Sequence, residues 1–499
     1  MRRFLSVIKY TLLTLLLVVV IIPVLLYIPA VQTFVCDKAV SYLNSANDQM
    51  NFSVGKIRIG FPLRLKVYDL DATVKNDTTV LFSLGKIETS LDAIPLGNDY
   101  FLVKRFKADN IRLGFDTLTQ SVLLKGFIDH IDVSNIYLNL EESKVDVNRI
   151  VIDNPDLQVG IGPSVPDTID DESKFAWSIA LNHAFATGGD VRYDLSGKSL
   201  DEAVGYVNRD DYLDYNHLNL SNLYFGIDNF VYRDGYIAFD VNNFTAQERN
   251  STLTIEHFQT HFLMDGELIT AKDIDFKMPD SKINGDFSID LSLLDTLGQG
   301  SLNSSLTGML SSSDLISIVT PYIPSFEQYW PKEQTSFTTD VFLSRDTLHI
   351  NEFVLRIPQH TDILVEGFGV YPFSNEMRQL NATARCQLQD GDFLLSTFVG
   401  KPEDRSYFLP QNLFVEIDGS YRKNFVKADV LLKQADDIVL EGVAEYNMDS
   451  EAYVANVKTD HLRLTDFVPS TGIEGLTTHV QATGRHFDFP GRHTSTDLN

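Results

Sequence analysis

Tryptophan and cysteine each occur only twice in this 499-residue chain, and methionine seven times, while phenylalanine occurs 33 times and tyrosine 20 times. Such an aromatic balance favours strands over helices. Two cysteines, Cys36 and Cys386, are too few for a disulfide scaffold and fit no metal-ligand spacing, so they read as isolated thiols rather than one long-range bridge. Cations are also short, 41 Lys and Arg against 68 Asp and Glu, for a formal net charge of −27. A surface of that sign argues against nucleic acid, whose phosphates need a basic footprint, and against broad adhesion to an anionic membrane. What remains is ordinary globular material, 44% hydrophobic and 22% charged, in a chain too long for one compact core.

Catalytic constellations are missing as well. No phosphate-cradling glycine loop, no G-x-S-x-G elbow and no Cys–His pairing stands in the sequence. His257 and His261 with Glu256 lack the helical order and third ligand of a zinc site. Asp210, Asp211 and Asp214 lack the glycine and terminal glutamate of a calcium loop and read as a solvated acidic loop. The expectation is a non-enzymatic protein without metal or cofactor.

One long hydrophobic run is present. From Tyr10 to Cys36 no residue is charged, and Leu12 to Ile28 reads LLTLLLVVVIIPVLLYI, with Leu12, Leu16, Val20, Leu25 and Ile28 spread along it. At about 1.5 Å rise per residue such a run spans a hydrocarbon layer of about 30 Å. It is longer than a signal-peptide core and its exit offers only Ala30 as a small residue, so residues 10–29 are expected to be an uncleaved anchor. Arg2, Arg3 and Lys9 put residues 1–9 in the cytoplasm by the positive-inside bias. Everything after the anchor then lies across the membrane.

Val31, Phe34, Val35, Ala39, Tyr42 and Leu43 recur at helical spacing, which predicts an amphipathic helix over 30–50. It would lie against the membrane or close off the start of the next domain. Beyond residue 50 the period becomes two. Ile57, Ile59, Phe61, Leu63, Leu65 and Val67 alternate with polar residues, as do Ile237, Phe239 and Val241, and Phe287, Ile289 and Leu291. Turn signals punctuate these runs at Asn76-Asp77, Asp234-Gly235, Asp265-Gly266, Asn284-Gly285 and Asp418-Gly419. An Asn or Asp before an apolar-x-apolar triplet recurs at Asn110, Asn135, Asn222 and Asp273, with His461 in a variant copy, and reads as a strand-entry signature. One short helix is expected near Ser311–Ser317, capped by the serines at its start. The Gly-, Pro- and acid-rich stretch 161–174 reads as a linker, with another break near Gln299–Ser313. Three β units follow: 51–160, 175–310 and 311–499.

One-faced strands with few helices need a covering partner. Roughly 450 residues at about a dozen per strand and turn give on the order of 35 strands. On periodicity alone, a string of closed β-sandwiches ranks above a sheet curled round its own apolar side. The second arrangement would make a trough fit for acyl chains.

The order of features resembles the AsmA-like superfamily, most closely the N-terminal part of its TamB (translocation and assembly module) family as found in Bacteroidetes-type bacteria. The matching stretches are the anchor ending in Ile28-Pro29 with its following helix, VGKIRIGFPLRLKVYDLDATV (Val54–Val74), VLFSLGKIETSLDAIPL (Val80–Leu96) and VKRFKADNIRLGF (Val103–Phe115). Later strand blocks at Phe244–Phe262 and Leu268–Asp290 continue the texture. The resemblance implies an all-β, elongated, curved β-sheet groove of many antiparallel strands behind one N-terminal transmembrane helix. It also implies an inner-membrane protein with its bulk in the periplasm. Its cargo would be phospholipid moving between the two membranes, in support of outer-membrane biogenesis. The alternating residues named above would line the groove. The family's other reading is assembly or secretion, through an Omp85-type outer-membrane partner or client β-proteins bound at strand edges. The family's characteristic C-terminal β domain has no counterpart in the last unit, 311–499, so the expectation is either a fragment or a short member with a different far end, and the resemblance does not carry direct docking to an outer-membrane barrel.

Overall fold

The computed structural model describes residues 27–46, 50–60, 64–75, 80–91, 100–115, 122–161, 177–194, 212–251, 253–294, 299–371 and 379–485. The expected anchor therefore lies almost wholly outside the described residues, including Leu12, Leu16, Val20 and Leu25, as do the linker beyond residue 161, Phe61, Leu63, Asn76-Asp77, Asp210 and Asp211. Among the described residues no helix is long and apolar enough to cross a membrane. The described chain is all-β in class, with 24 strands. Among the described residues the strands run to as many as 18 residues, longer than the dozen per strand and turn that the sequence suggested.

The chain divides into two compact units, residues 1–209 with 214–252, and 210–213 with 253–499. The expected boundary at 310/311 falls inside the second unit. The break expected at Gln299–Ser313 is occupied by a strand, Ser301–Leu310.

In the first unit a helix, α1 (Pro29–Ala46), precedes β1 (Met50–Gly60), β2 (Arg64–Val74), β3 (Val80–Leu91), β4 (Tyr100–Phe115), β5 (Val122–Asn139) and β6 (Lys144–Ile161), paired antiparallel in chain order. Lys56–Val67 is thus a hairpin and not one strand, with Ile57 facing Val67 and Ile59 facing Leu65 across it. A period of two survives such a reversal, which is why the run looked continuous. β6 next pairs parallel with β7 (Ser178–Thr187) and β8 (Asp190–Asp194), two halves of one line interrupted at Gly188-Gly189. Both glycines are left-handed, and a Cβ at Gly189 would collide with the Pro155 carbonyl. β9 (His217–Arg233) runs antiparallel to both, then turns at Asp234-Gly235 into β10 (Tyr236–Glu248). With φ of +46° and +81°, that pair is the tight hairpin turn its sequence signals.

Helix α1 lies along β1, the first strand of this unit. Gln32 Nε2 donates to Ile59 O at 3.1 Å; Asn44 Nδ2 donates to Phe52 O at 2.9 Å, while Phe52 N–H donates back to Asn44 Oδ1 at 2.6 Å. These side chains satisfy edge backbone groups that would otherwise invite another strand. Gln32 and Cys36, a turn apart, are buried, whereas Phe34, Val35, Tyr42 and Leu43 are exposed, Tyr42 by 72%. The apolar stripe therefore does not pack on β1, as closing off the next domain would require, and stays exposed on the outer face, while polar side chains pin the helix to the strand edge.

The second unit holds β11 (Thr254–Ile255), β12 (His257–Asp265), β13 (Leu268–Lys277), β14 (Lys282–Asp290), β15 (Ser301–Leu310), β16 (Thr335–Ser344), β17 (Thr347–Ile357) and β18 (Thr361–Val370). It continues with β19 (Gln379–Leu388), β20 (Leu413–Arg422), β21 (Phe425–Gln434), β22 (Asp437–Asn447), β23 (Ala452–Leu462) and β24 (Leu476–Arg485). From β12 onward each strand pairs antiparallel with the next. Asp265-Gly266 turns between β12 and β13, but Asn284-Gly285 and Asp418-Gly419 sit inside β14 and β20, so these two turn expectations fail. Short helices α2 (Ser312–Val319), α3 (Ser325–Tyr329), α4 (Asp392–Phe398) and α5 (Leu464–Phe467) occupy connections. α2 is the helix expected from the serines: Ser311 caps it, its hydroxyl accepting from Asp314 N–H. Around α3 and α4, Phe326, Trp330, Ile357 and Phe393 form a buried cluster, with Phe326 and Trp330 stacked at 4.3 Å.

Candidate functional site: an apolar sheet face crossed by left-handed seams

Side chains on a strand alternate between faces, so register fixes which residues share a surface. In the first unit Ile59 faces Leu65, Leu65 faces Thr89, and the row continues through Phe106, Val133, Ile150, Ala184 and Ile227 to Val241. The neighbouring row starts at Ile57 and Val67 and passes through Ile87, Ala108, Ile131, Ile152, Ala186 and Phe225 to Phe244. Ile237 faces Tyr232, and Phe239 stacks on Phe230 at 6.2 Å. Thus Ile57, Ile59, Leu65, Val67, Ile237, Phe239 and Val241 belong to one apolar face that spans the unit. Most of these side chains are half-buried, Val241 being the fully buried one. The opposite face is charged, with Lys66 on Glu88 at 2.7 Å and Arg105 on Asp132. Hydrogen bonds from Lys66 and Lys86 hold the Glu88 carboxyl down at about 2, and those from Arg105 lower Asp132.

In the second unit Phe287 and Ile289 lie on the corresponding alternation of β14, facing Ala271 and Ile269 of β13 and Ser304 and Leu302 of β15. Leu291 does not extend that row: it starts a 3-10 turn, Leu291–Leu294, and is 38% exposed. Beyond Phe287 the row passes through Ser304, Val341 and Ile350 and is then lined by small residues, Gly367, Ala382, Gly419, Ala428, Ala444, Ala455 and Ala482. Leu380, Tyr421, Val426, Tyr446 and Tyr453 flank it on one side, and Ile417, Val430, Val457 and Val480 on the other. Cys386 belongs to the same face, where burial raises its thiol pKa. Both cysteines are free.

Two lines of polar residues cross the strands of the first unit. Gly55 faces Asp69, Asp69 faces Gly85, Gly85 faces Asn110, Asn110 faces Asp129, and Asp129 faces Asn154, where Asn154 Nδ2 donates to Asp129 Oδ2 at 2.8 Å. Asp69, Asn110 and Asn154 are left-handed, with φ of +52°, +56° and +48°. Left-handed residues therefore fall on alternate strands, and their neighbours are Gly55, Gly85 and Asp129. A second line joins Asn135, Asn148, Asn182 and Asn229, with φ positive at Asn135 and Asn229. The strand-entry expectation for Asn110, Asn135, Asn222, Asp273 and His461 is corrected accordingly. All five are left-handed residues within strands, a conformation that Asn and Asp tolerate better than most side chains.

Each seam shifts the inward phase by one. On β4 the inward residues are Phe101, Val103, Phe106, Ala108, Ile111 and Leu113, spaced two, three, two, three, two. A local kink of this kind bends a strand, and bends in line crease a sheet. Side chains from both sides of the first seam pack together: Ala108 clusters with Ile111 and Ile128, and Ile131, Ile152 and Leu157 pack against them. The apolar face is therefore the inside of that crease.

The histidines of the weak zinc signature are separated from each other. His257 Nε2 lies 3.7 Å from Asp275 and His261 Nε2 3.8 Å from Asp273, each against its own carboxylate on β13. Asp214 accepts from Asn216 N–H and pairs with His217 at 2.9 Å. Among the described residues no group of three or more His, Cys, Asp or Glu could hold a metal ion. Ile28, the described end of the expected anchor, is 42% exposed just before α1.

The sequence reading missed the middle of the face, β4 to β9, because spacings of two and three average to neither the strand nor the helix period. The mark that could have found it was the repeated Asn or Asp at each skip. No protein-family model matches the chain, and no curated protein matches it.

Proposed function

We propose that the chain is a membrane-anchored, non-enzymatic scaffold whose apolar sheet face lines a groove for phospholipid acyl chains. On this reading it stands in the inner membrane of a bacterium, resembles the TamB family in architecture, and carries phospholipid between the inner and outer membranes in support of outer-membrane biogenesis. The observation that carries the reading is the continuity of the row from Ile59 to Val241 across every line of strands in the first unit, half-buried along most of its length. An ordinary core would bury such residues, and a solvated sheet would not keep them apolar. The row of small residues in the second unit adds a furrow between bulkier flanks, and the seams give a physical means of curving the sheet.

The test is phospholipid transfer between vesicles by the full-length chain. Ile59→Asp and Phe239→Asp each place a charge on the apolar face and should lower transfer at least about tenfold, an interior carboxylate being costly among acyl chains. Arg112→Asp, on the opposite face, should leave it unchanged. Equal transfer by all three variants would sink the reading.

A second reading, an assembly factor pairing client β-strands, draws on β24, which among the described residues pairs on one side only, with β23. Proline at Gln481 should abolish client binding and spare lipid transfer if that edge is used.

A further inference from the structure

The chain is strongly acidic, yet the charged face of its first strands is basic. Register brings Arg58, Lys66, Glu88, Lys107 and Asp132 into one transverse row, and Arg64, Ser90 and Arg105 into the next. Five cations stand there against two carboxylates, both already engaged: Glu88 by Lys66 and Lys86, Asp132 by Arg105 and Lys107. Arg64, Lys66, Arg105 and Lys107, with Glu88 among them, surround a depression of about 300 Å³. Arg58 sits directly opposite Lys66, an arrangement of like charges that costs stability in a sheet. Neither Arg58 nor Arg64 has an ion-pair partner among the described residues.

A second observation says what this face meets. Gln32, in the first turn of α1, is bonded to Ile59 at the far end of β1, so the chain enters the unit beside Arg58 and Arg64. The residues immediately upstream are the uncharged run ending at Ile28. The basic rows therefore begin at the end of β1 and the start of β2, nearest the membrane that this run would enter, and continue into the interior of β4 and β5.

We propose that Arg58, Arg64, Lys66, Arg105 and Lys107 rest on the anionic phospholipid headgroups of that membrane and set the orientation of the first unit upon it. The inference rests on the anchor reading. A net negative molecule is thereby held at an anionic surface by one local field of opposite sign, each cation near the surface contributing about fivefold in binding.

The test uses the full-length chain in mixed phosphatidylglycerol–phosphatidylcholine nanodiscs carrying photoreactive headgroups, with crosslinked peptides identified by mass spectrometry. Crosslinks to 58–66 and 88–107 should be several-fold stronger from phosphatidylglycerol than from phosphatidylcholine. They should fall at least about fivefold for each of Arg58→Glu and Arg64→Glu, since each removes a cation and adds an anion. Neither substitution breaks an ion pair, and Arg58→Glu gives Lys66 a partner, so folding should survive. Equal crosslinking from both lipids would overturn the inference, and so would competition by millimolar inorganic phosphate, which would mark a small-anion site instead. Resistance of the chain to an alkaline carbonate wash reports the anchor separately. Release in that wash overturns the anchor and this inference together, whereas equal crosslinking by a resistant chain overturns this inference alone.

Discussion

Asn110 holds a φ of +56° in the middle of a 16-residue strand, and the residue facing it is glycine for a reason: a Cβ at Gly85 would stand 3.0 Å from Asn110 Cβ. The backbone there is set by the seam, so the side chain must tolerate it. Asn110→Gly should change stability by no more than about 0.5 kcal/mol, whereas Asn110→Val should cost about 1–2 kcal/mol, read as a lower thermal midpoint. Equal midpoints for the two variants would remove the left-handed residue as a determinant of the crease. Glu88 supplies a pH signature at the same scale. Its carboxyl, held to about 2 by Lys66 and Lys86, stabilises the fold fully above the ordinary carboxylate range and loses that contribution as pH falls through about 2. Thermal midpoints between about pH 4.5 and 2 should therefore fall less steeply in Glu88→Gln than in the parent chain.

At the scale of elements, the strands were legible wherever the apolar period stayed at two, as at Ile57–Ile59, Ile237–Val241 and Phe287–Ile289. They were obscured where a seam inserted a skip, as in Phe101–Leu113. The short helix after Ser311 could be read because its cap is local, encoded by the serines themselves. The turn signals misled at Asn284-Gly285, where a Cβ on Gly285 would collide with the Ser305 carbonyl, and at Asp418-Gly419, which lies in an uninterrupted ladder. Helix α1 was legible as a helix, but its docking face was not, because the decisive bonds from Gln32 and Asn44 are to backbone 27 and eight residues away. Asn44→Ala leaves the Phe52 N–H and C=O of β1 without their side-chain partner. It should cost about 1–3 kcal/mol and promote association through the uncovered edge, seen as added mass in light scattering at high concentration. A variant that stays monomeric and as stable as the parent would show that α1 does not guard β1.

For the whole molecule the sequence suggested an apolar face, and the register of the strands within each unit supplies its continuity. Periodicity ranked closed sandwiches first because alternation alone does not say whether a second sheet covers the apolar side. What bears on that choice is the row from Ile59 to Val241, which crosses the first unit half-buried at every position but Val241, and the packing of Ala108, Ile111 and Ile128 inside a crease. The most direct measurement is to purify the full-length chain gently from membranes fed a phospholipid with a photoreactive acyl chain, irradiate it, and map the adducts. Adducts concentrated on the inward rows, at Ile59, Phe106, Ile150 and Phe239 and their row neighbours, are the predicted result. Adducts confined to residues 10–46, with none on the strands, would contradict an acyl-chain groove.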